Sequence, residues 1–168
     1  TSSPQDAGHD ILSALLAKPR ALVMGVLNIT PDSFSDGGEF LDPARALAQA
    51  ERLIADGADI LDIGAESTRP YGATPISAHE EMTRLALVLP ALARLGVPVS
   101  IDTMKADVAA WALDQGAAIV NDVWGLHRDG AIAKLAAERG VPVVVMHNRD
   151  AADPAIDPAY TATPIAQF

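Results

Sequence analysis

Four times along the chain a stretch of helix-spaced apolar residues runs into a glycine, and an aliphatic run follows. The instances are ADGADILDIGAE (55–66), ARLGVPVSIDTM (93–104), LDQGAAIVNDVW (113–124) and AERGVPVVVMHN (137–148). The runs 60–63, 97–101, 117–120 and 141–146 fit strands buried on both faces. A fifth run, 21–27, precedes them and ends at Asn28. Gly57, Gly96, Gly116 and Gly140 sit where helix C-caps need a left-handed residue. Between the strands, Ala46, Leu47, Ala50, Leu53 and Ile54 repeat at helical spacing and predict a helix over Pro43–Ala55. Ser77 with Glu80 forms a capping-box pattern that opens a helix to about Arg94, kinked at Pro90. Two shorter helices are predicted over 105–115 and 129–139. Residues 1–20 read as a lead-in and 148–168 as a polar, proline-rich loop.

Strands alternating with helices imply βαβ units, right-handed crossovers and a parallel sheet. The residues leave two α/β architectures open: a doubly wound sheet, or part of a (β/α)8 barrel. A whole barrel needs roughly 250 residues, and this chain has 168, read as a single domain. Aromatics are only 4% of residues, so the core must be built from Ala, Val, Leu and Ile. A net charge of -10 argues against nucleic acid or an anionic membrane as partner. The chain has no cysteine, which excludes disulfides and thiolate chemistry. No apolar run approaches the ~20 residues of a membrane span, and the start lacks a signal-peptide pattern; a cytoplasmic enzyme is the expectation.

The chemistry gathers at the strand ends. Asn28, Asp62, Asp102, Asn121 with Asp122, and His147 lie at or near the carboxyl ends of the five runs, the face that holds ligands in both architectures. Each has a plainer reading: Asp102 as a cap for the helix near Lys105, Asp122 as an Asx turn, His147 as a structural histidine. Two loops are longer than a βα connection requires. NITPDSFSDGGEF (28–40) offers Thr30, Asp32, Ser33, Asp36 and an apolar Phe34. ESTRPYGATPIS (66–77) offers Ser67, Thr68 and Arg69, the only arginine on this face's loops before position 128 and suited to gripping a carboxylate or phosphate. No dinucleotide or Walker phosphate loop is present, and no histidine-rich metal motif. The amide oxygen of Asn28 suits Mg2+, which takes most of its ligands from phosphate and water.

MGVLNITPDSFSDGG (24–38), DIGAESTRP (62–70), SIDT (100–103), NDVWG (121–125) and VVVMH (143–147) together resemble dihydropteroate synthases of folate biosynthesis. The resemblance runs from about Ala21 to His147, and its first two motifs are highly specific. It implies a TIM (β/α)8 barrel, of which this chain holds about the first five βα units. It implies a transferase that joins 7,8-dihydropterin-6-ylmethyl diphosphate to 4-aminobenzoate with release of diphosphate. By this resemblance Asn28 is the ligand of an Mg2+ cofactor, Thr68 touches the diphosphate with Arg69 beside it, and Asp102 and Asn121 hydrogen-bond the pterin. Val123 and Met146 line the pterin pocket, Phe34 and Pro70 wall the aminobenzoate site, and Asp36 anchors a loop. Asp102, Arg69 and Asp36 form the catalytic group. The partners are small molecules, the family is a homodimer, and it is the sulfonamide target.

Two departures stand out. Tyr71 is an additional residue in the second loop, and the family's later DPGxGFGK, SRK and RxH motifs have no counterpart here. The chain alone is therefore expected to be inactive. The alternatives are another pterin-binding barrel, such as a methyltetrahydrofolate:corrinoid methyltransferase, which has no use for the diphosphate-binding loops, and a non-catalytic pterin-binding module.

Overall fold

A computed structural model describes residues 4–30, 42–66 and 75–146. In chain order the elements are α1 (Pro4–Leu16), β1 (Met24–Asn28), α2 (Pro43–Ala55), β2 (Ile60–Gly64), α3 (Ala78–Ala86), α4 (Leu89–Leu92), β3 (Val99–Asp102), α5 (Ala106–Asp114), β4 (Ile119–Asp122), α6 (Ala131–Arg139) and β5 (Val143–Val145). The five strands form one parallel sheet in chain order, β1-β2-β3-β4-β5. Every neighbouring pair is thus joined by a helical crossover.

The two faces of the sheet differ because strand side chains alternate. Leu27, Leu61, Ile63, Val99, Ile101 and Val120 point one way and are buried with Ala46, Ala50, Leu85, Leu92, Val108 and Ile132 of the covering helices. Burial of each such Leu or Ile contributes about 1.5–3 kcal/mol, and this layer is the main core. The opposite face begins, at the amino ends of the strands, with Ile60 and Ile119, which pack with Leu15 of α1 and with Ile11, Leu22, Met24 and Val144. Further along, the same face turns polar: register carries it through Asp62, Ser100, Asp102 and Asn121.

Residues 1–20, read as a lead-in, contain the helix α1. Its Ile11 and Leu15 pack on the lower end of this second face, and the helix gains its stability only by covering it. Its connection to β1 is pinned by Asp59, only 3% exposed. That carboxylate accepts from Lys18 Nζ (2.5 Å), both terminal Arg20 nitrogens (2.6 and 2.7 Å) and the Val23 amide (2.9 Å).

Helix ends follow local chemistry. Asp42 caps α2 by accepting from the Ala44 amide at 2.9 Å, and Pro43 stands in its first turn. Ser77 Oγ accepts from the Glu80 amide at 3.1 Å. The Glu80 carboxylate does not complete the capping box; it accepts from Arg84 Nε at 2.9 Å, one turn on. The helix predicted to continue to Arg94 breaks after Ala86, because Pro90 has no N–H to give the Ala86 carbonyl and its ring crowds that oxygen. Pro90 falls instead in the first turn of α4, where the missing donor is harmless. Gly57, Gly96, Gly116 and Gly140 all have positive φ (107°, 85°, 107° and 62°), as the cap reading requires.

β1, β3 and β4 begin and end later than their aliphatic runs, β2 ends one residue later, and β5 begins two residues later. Pro98 and Pro142 cannot donate to the ladder, although their carbonyls accept from Leu61 (3.1 Å) and Val120 (3.0 Å). Pairing continues instead through Asn28, Asp102, Asn121 and Asp122. These polar residues therefore stand on the strands themselves, with directions set by the pleat.

Candidate active site at the carboxyl ends of the strands

Asp62 occupies the middle of β2, and its register partner on β3 is Ser100. Two residues on, Asp102 shares Ser100's face and pairs with Asn121 of β4. The period of two and the parallel register thus bring four polar side chains from three strands into one patch. Asn121 Nδ2 donates to Asp62 Oδ2 at 2.9 Å. This bond fixes the amide, so its Oδ1 faces away from Asp62. Asp62 Oδ1, Ser100 Oγ, Asp102 Oδ1 and Asn121 Oδ1 are all buried and without a hydrogen-bond partner in the protein. Buried polar atoms are seldom left so; three of the four are carbonyl or carboxyl oxygens, and the fourth, the Ser100 hydroxyl, can accept as well as donate. Such a patch suits a ligand with several N–H donors.

Crowding shows in the electrostatics. Burial, then the charges of Asp62, Glu81, Asp122 and Glu66, push the Asp102 carboxyl up to about 7. Burial also raises Asp62, opposed by Ser100 and Asn121. Gly64 is what admits Asp102 so close to β2. A Cβ there would lie 3.1 Å from the Asp102 carbonyl oxygen and 3.3 Å from its Cβ.

The plainer readings divide. Asp102 caps nothing: α5 starts after Lys105, whose amide is taken by Thr103 Oγ1 at 3.2 Å, and the Ala106 amide is taken by Asp129 at 2.9 Å. Asp122 is the turn residue that its plainer reading describes. It is fully buried, and its two oxygens accept from the Trp124 and Leu126 amides at 2.9 and 2.8 Å. This holds Leu126 at a φ of 67°, unusual for a residue with a branched side chain. The same loop carries Arg128 stacked 4.0 Å from the Trp124 ring centre.

Asn28 ends β1 at the same rim, opposite Gly64 in register, with its side chain on the patch's face and exposed. Val123, 8% exposed, follows β4 directly, and Met146, 48% exposed, follows β5. The structure thus gathers Asp102 and Asn121 on adjacent strands and sets Asn28, Val123 and Met146 around the same rim. Phe34 and Asp36, Thr68, Arg69, Pro70 and Tyr71, and His147 lie outside the described residues. Among the described residues, no three His, Asp or Glu side chains form a metal cluster, and no helix is long and apolar enough to cross a membrane.

Three features escaped the sequence reading. Ser100 joins the patch; its signal was the two-residue spacing from Asp102 on one strand. Arg84, placed on a helix, reaches the exit of β2 and donates to the Ala65 carbonyl at 3.1 Å. Lys105 bridges Glu66 and Glu81, donating to Glu81 Oε2 at 2.8 Å. No local pattern links those three positions.

Parallel βα units with an acceptor-rich patch at the carboxyl ends of the strands define an α/β enzyme scaffold of the barrel kind, with five strands among the described residues. The family described as pterin binding enzyme matches residues 24–167, and the chain belongs to it. Dihydropteroate synthase of Bacillus subtilis is 53% identical over 142 residues, which is 84% of this chain and 50% of that protein. A dihydropteroate synthase from Clostridium difficile, crystallised in the presence of pteroic acid, superposes with a TM-score of 0.76 at 43% identity, covering 85% of this chain and 54% of the other. The Xanthomonas albilineans enzyme with 4-aminobenzoic acid gives a TM-score of 0.73, also at 43% identity, over 86% and 52%. The chain thus spans about half the length of these relatives, and its described residues supply four βα units and a fifth strand of a (β/α)8 barrel.

Proposed function

We propose that this chain carries the amino-terminal half of a dihydropteroate synthase site, which joins 7,8-dihydropterin-6-ylmethyl diphosphate to 4-aminobenzoate. One observation carries the reading: the four unpartnered oxygens of Asp62, Ser100, Asp102 and Asn121 at one rim, in a chain close to enzymes of that name. A reduced pterin presents adjacent ring and amino N–H groups to match them. Departure of diphosphate leaves positive charge on the pterin methylene and ring, and the Asp102 carboxylate, low in dielectric, favours that charge. The aniline nitrogen of 4-aminobenzoate is a neutral nucleophile, so the attack needs no strong base. Thr68 and Arg69 hold the diphosphate, Phe34 and Pro70 wall the aminobenzoate site, and Asp36 anchors its loop.

Asn28 offers one neutral amide oxygen. With no group of three or more His, Asp or Glu placed to hold a metal among the described residues, that donor fits only a hard cation bringing its own phosphate and water ligands. Mg2+ held there would supply charge neutralisation for the leaving diphosphate. The parent protein acts in the cytoplasm as a homodimer, and its family is the sulfonamide target. Turnover needs groups beyond this half.

Calorimetry with the pterin diphosphate and with 4-aminobenzoate, each with and without Mg2+, tests the reading. Pterin diphosphate is expected to bind more tightly with Mg2+, and Asp102→Ala to abolish binding. Equal binding of pterins with and without diphosphate would favour a methyltransferase-like barrel. Dihydropteroate formation by the 168-residue chain alone would refute the expected inactivity.

A further inference from the structure

Asp62 and Asn121 stand on β2 and β4, which are not neighbours: β3 lies between them. Both residues are buried. Ser100 is level with Asp62 in register, and Asp102 is level with Asn121. The 2.9 Å bond from Asn121 Nδ2 to Asp62 Oδ2 thus crosses β3 on the diagonal, and the short side chain of Ser100 lets the two groups meet.

A side-chain amide has a donor end and an acceptor end of nearly the same size, so packing distinguishes them poorly. A carboxylate does distinguish them, because it only accepts. It takes the nitrogen, and Asn121 Oδ1 is left buried without a hydrogen-bond partner in the protein. We propose that Asp62 is a positioning residue: by holding the nitrogen of Asn121 it turns the amide oxygen to the ligand, and so selects ligands that bring an N–H there over those that bring a carbonyl. The inference deepens the pterin reading and rests on it for the ligand alone. A 2-amino-4-oxo bicycle supplies the donor. Its 2,4-dioxo counterpart, a lumazine, puts an oxygen in place of the amino group, where its lone pairs face those of Asn121 Oδ1. Asp62→Asn removes the constraint. An amide at position 62 can give its own N–H to Asn121 Oδ1, and Asn121 then turns its nitrogen to the ligand.

Two measurements on the full chain test this. The first needs no ligand: in isotopically labelled protein, NMR is expected to show a scalar coupling from Asn121 Nδ2, across the hydrogen bond, to the Asp62 carboxyl carbon. Its absence in the folded chain overturns the proposal. The second is calorimetry with 6-hydroxymethylpterin and with 6-hydroxymethyllumazine. The preference for the pterin is expected to fall about tenfold in Asp62→Asn. Equal weakening of both ligands, the mark of a structural role alone, overturns the proposal. Asn121→Ala separates action through Asn121 from direct contact by Asp62. In that background Asp62→Asn is expected to leave the ratio of the two affinities unchanged, and a second tenfold fall there overturns the proposal. If Asp62→Asn fails to fold, the coupling decides alone. If the wild-type chain binds no pterin, the functional reading sinks and the coupling still judges the role of Asp62.

Discussion

Asp102 is held in place at the expense of stability. Its carboxyl titrates near 7 in the fold, against about 3.9 in an unfolded chain. Between those values the folded state binds more protons than the unfolded one, so stability falls as pH rises from about 4 to 7 and stays lowered above. Asp102→Asn removes this penalty. It is expected to stabilise the chain by about 1–3 kcal/mol at pH 8 and to leave it nearly unchanged at pH 4, by urea unfolding at the two values, while abolishing pterin binding. Asp59 behaves oppositely. Arg20, Lys18 and the Val23 amide hold its carboxyl well below the usual range. Its contribution is present above the ordinary carboxylate range and disappears as strong acid protonates it. Asp59→Asn should lower the melting temperature at pH 7, with the gap closing towards pH 2. Of the residues singled out, Asp102 and Asn121 were legible because their runs end in polar groups. Asp122 was equally visible, yet only its bonds to two amides reveal a turn residue.

At the scale of elements, helix starts were readable because they are made by neighbours in sequence: Asp42 before Pro43, and Ser77 three residues before Glu80. α1 was not, since its apolar stripe is short and its reason for folding lies at Ile60 and Ile119, far along the chain. Leu15 is the contact that makes the helix worthwhile. Leu15→Ala is expected to cost about 2–3 kcal/mol and to expose Ile60 and Ile119, which dye binding to apolar surface would report. Strand limits were displaced for a related reason. An aliphatic run marks what is covered, whereas pairing depends on donors, which Pro98 and Pro142 lack and Asp102 and Asn121 possess.

The whole molecule is a sheet with two unpaired outer strands among its described residues, β1 and β5. Val26, on the patch's own face, is 57% exposed, and Val145 is 54% exposed. Open edges and uncovered apolar side chains invite association. The chain by itself is expected to self-associate in a concentration-dependent way, read by light scattering. Supplying the carboxyl-terminal half of the Bacillus subtilis relative as a separate chain should suppress this association. Association that persists unchanged with that half present would mean that these edges are not what drives it.

Hydrophobic periodicity and the glycines after each helix determined the element order, the parallel sheet and the rim where chemistry collects, because those signals are local and repeat with every βα unit. Which polar residues meet was decided by tertiary structure. Register alone puts Ser100 between Asp62 and Asp102, and only the packing of α3 against α5 sets buried Glu81 beside Lys105 and Glu66. Charge interactions act through space, and sequence separation carries no record of them.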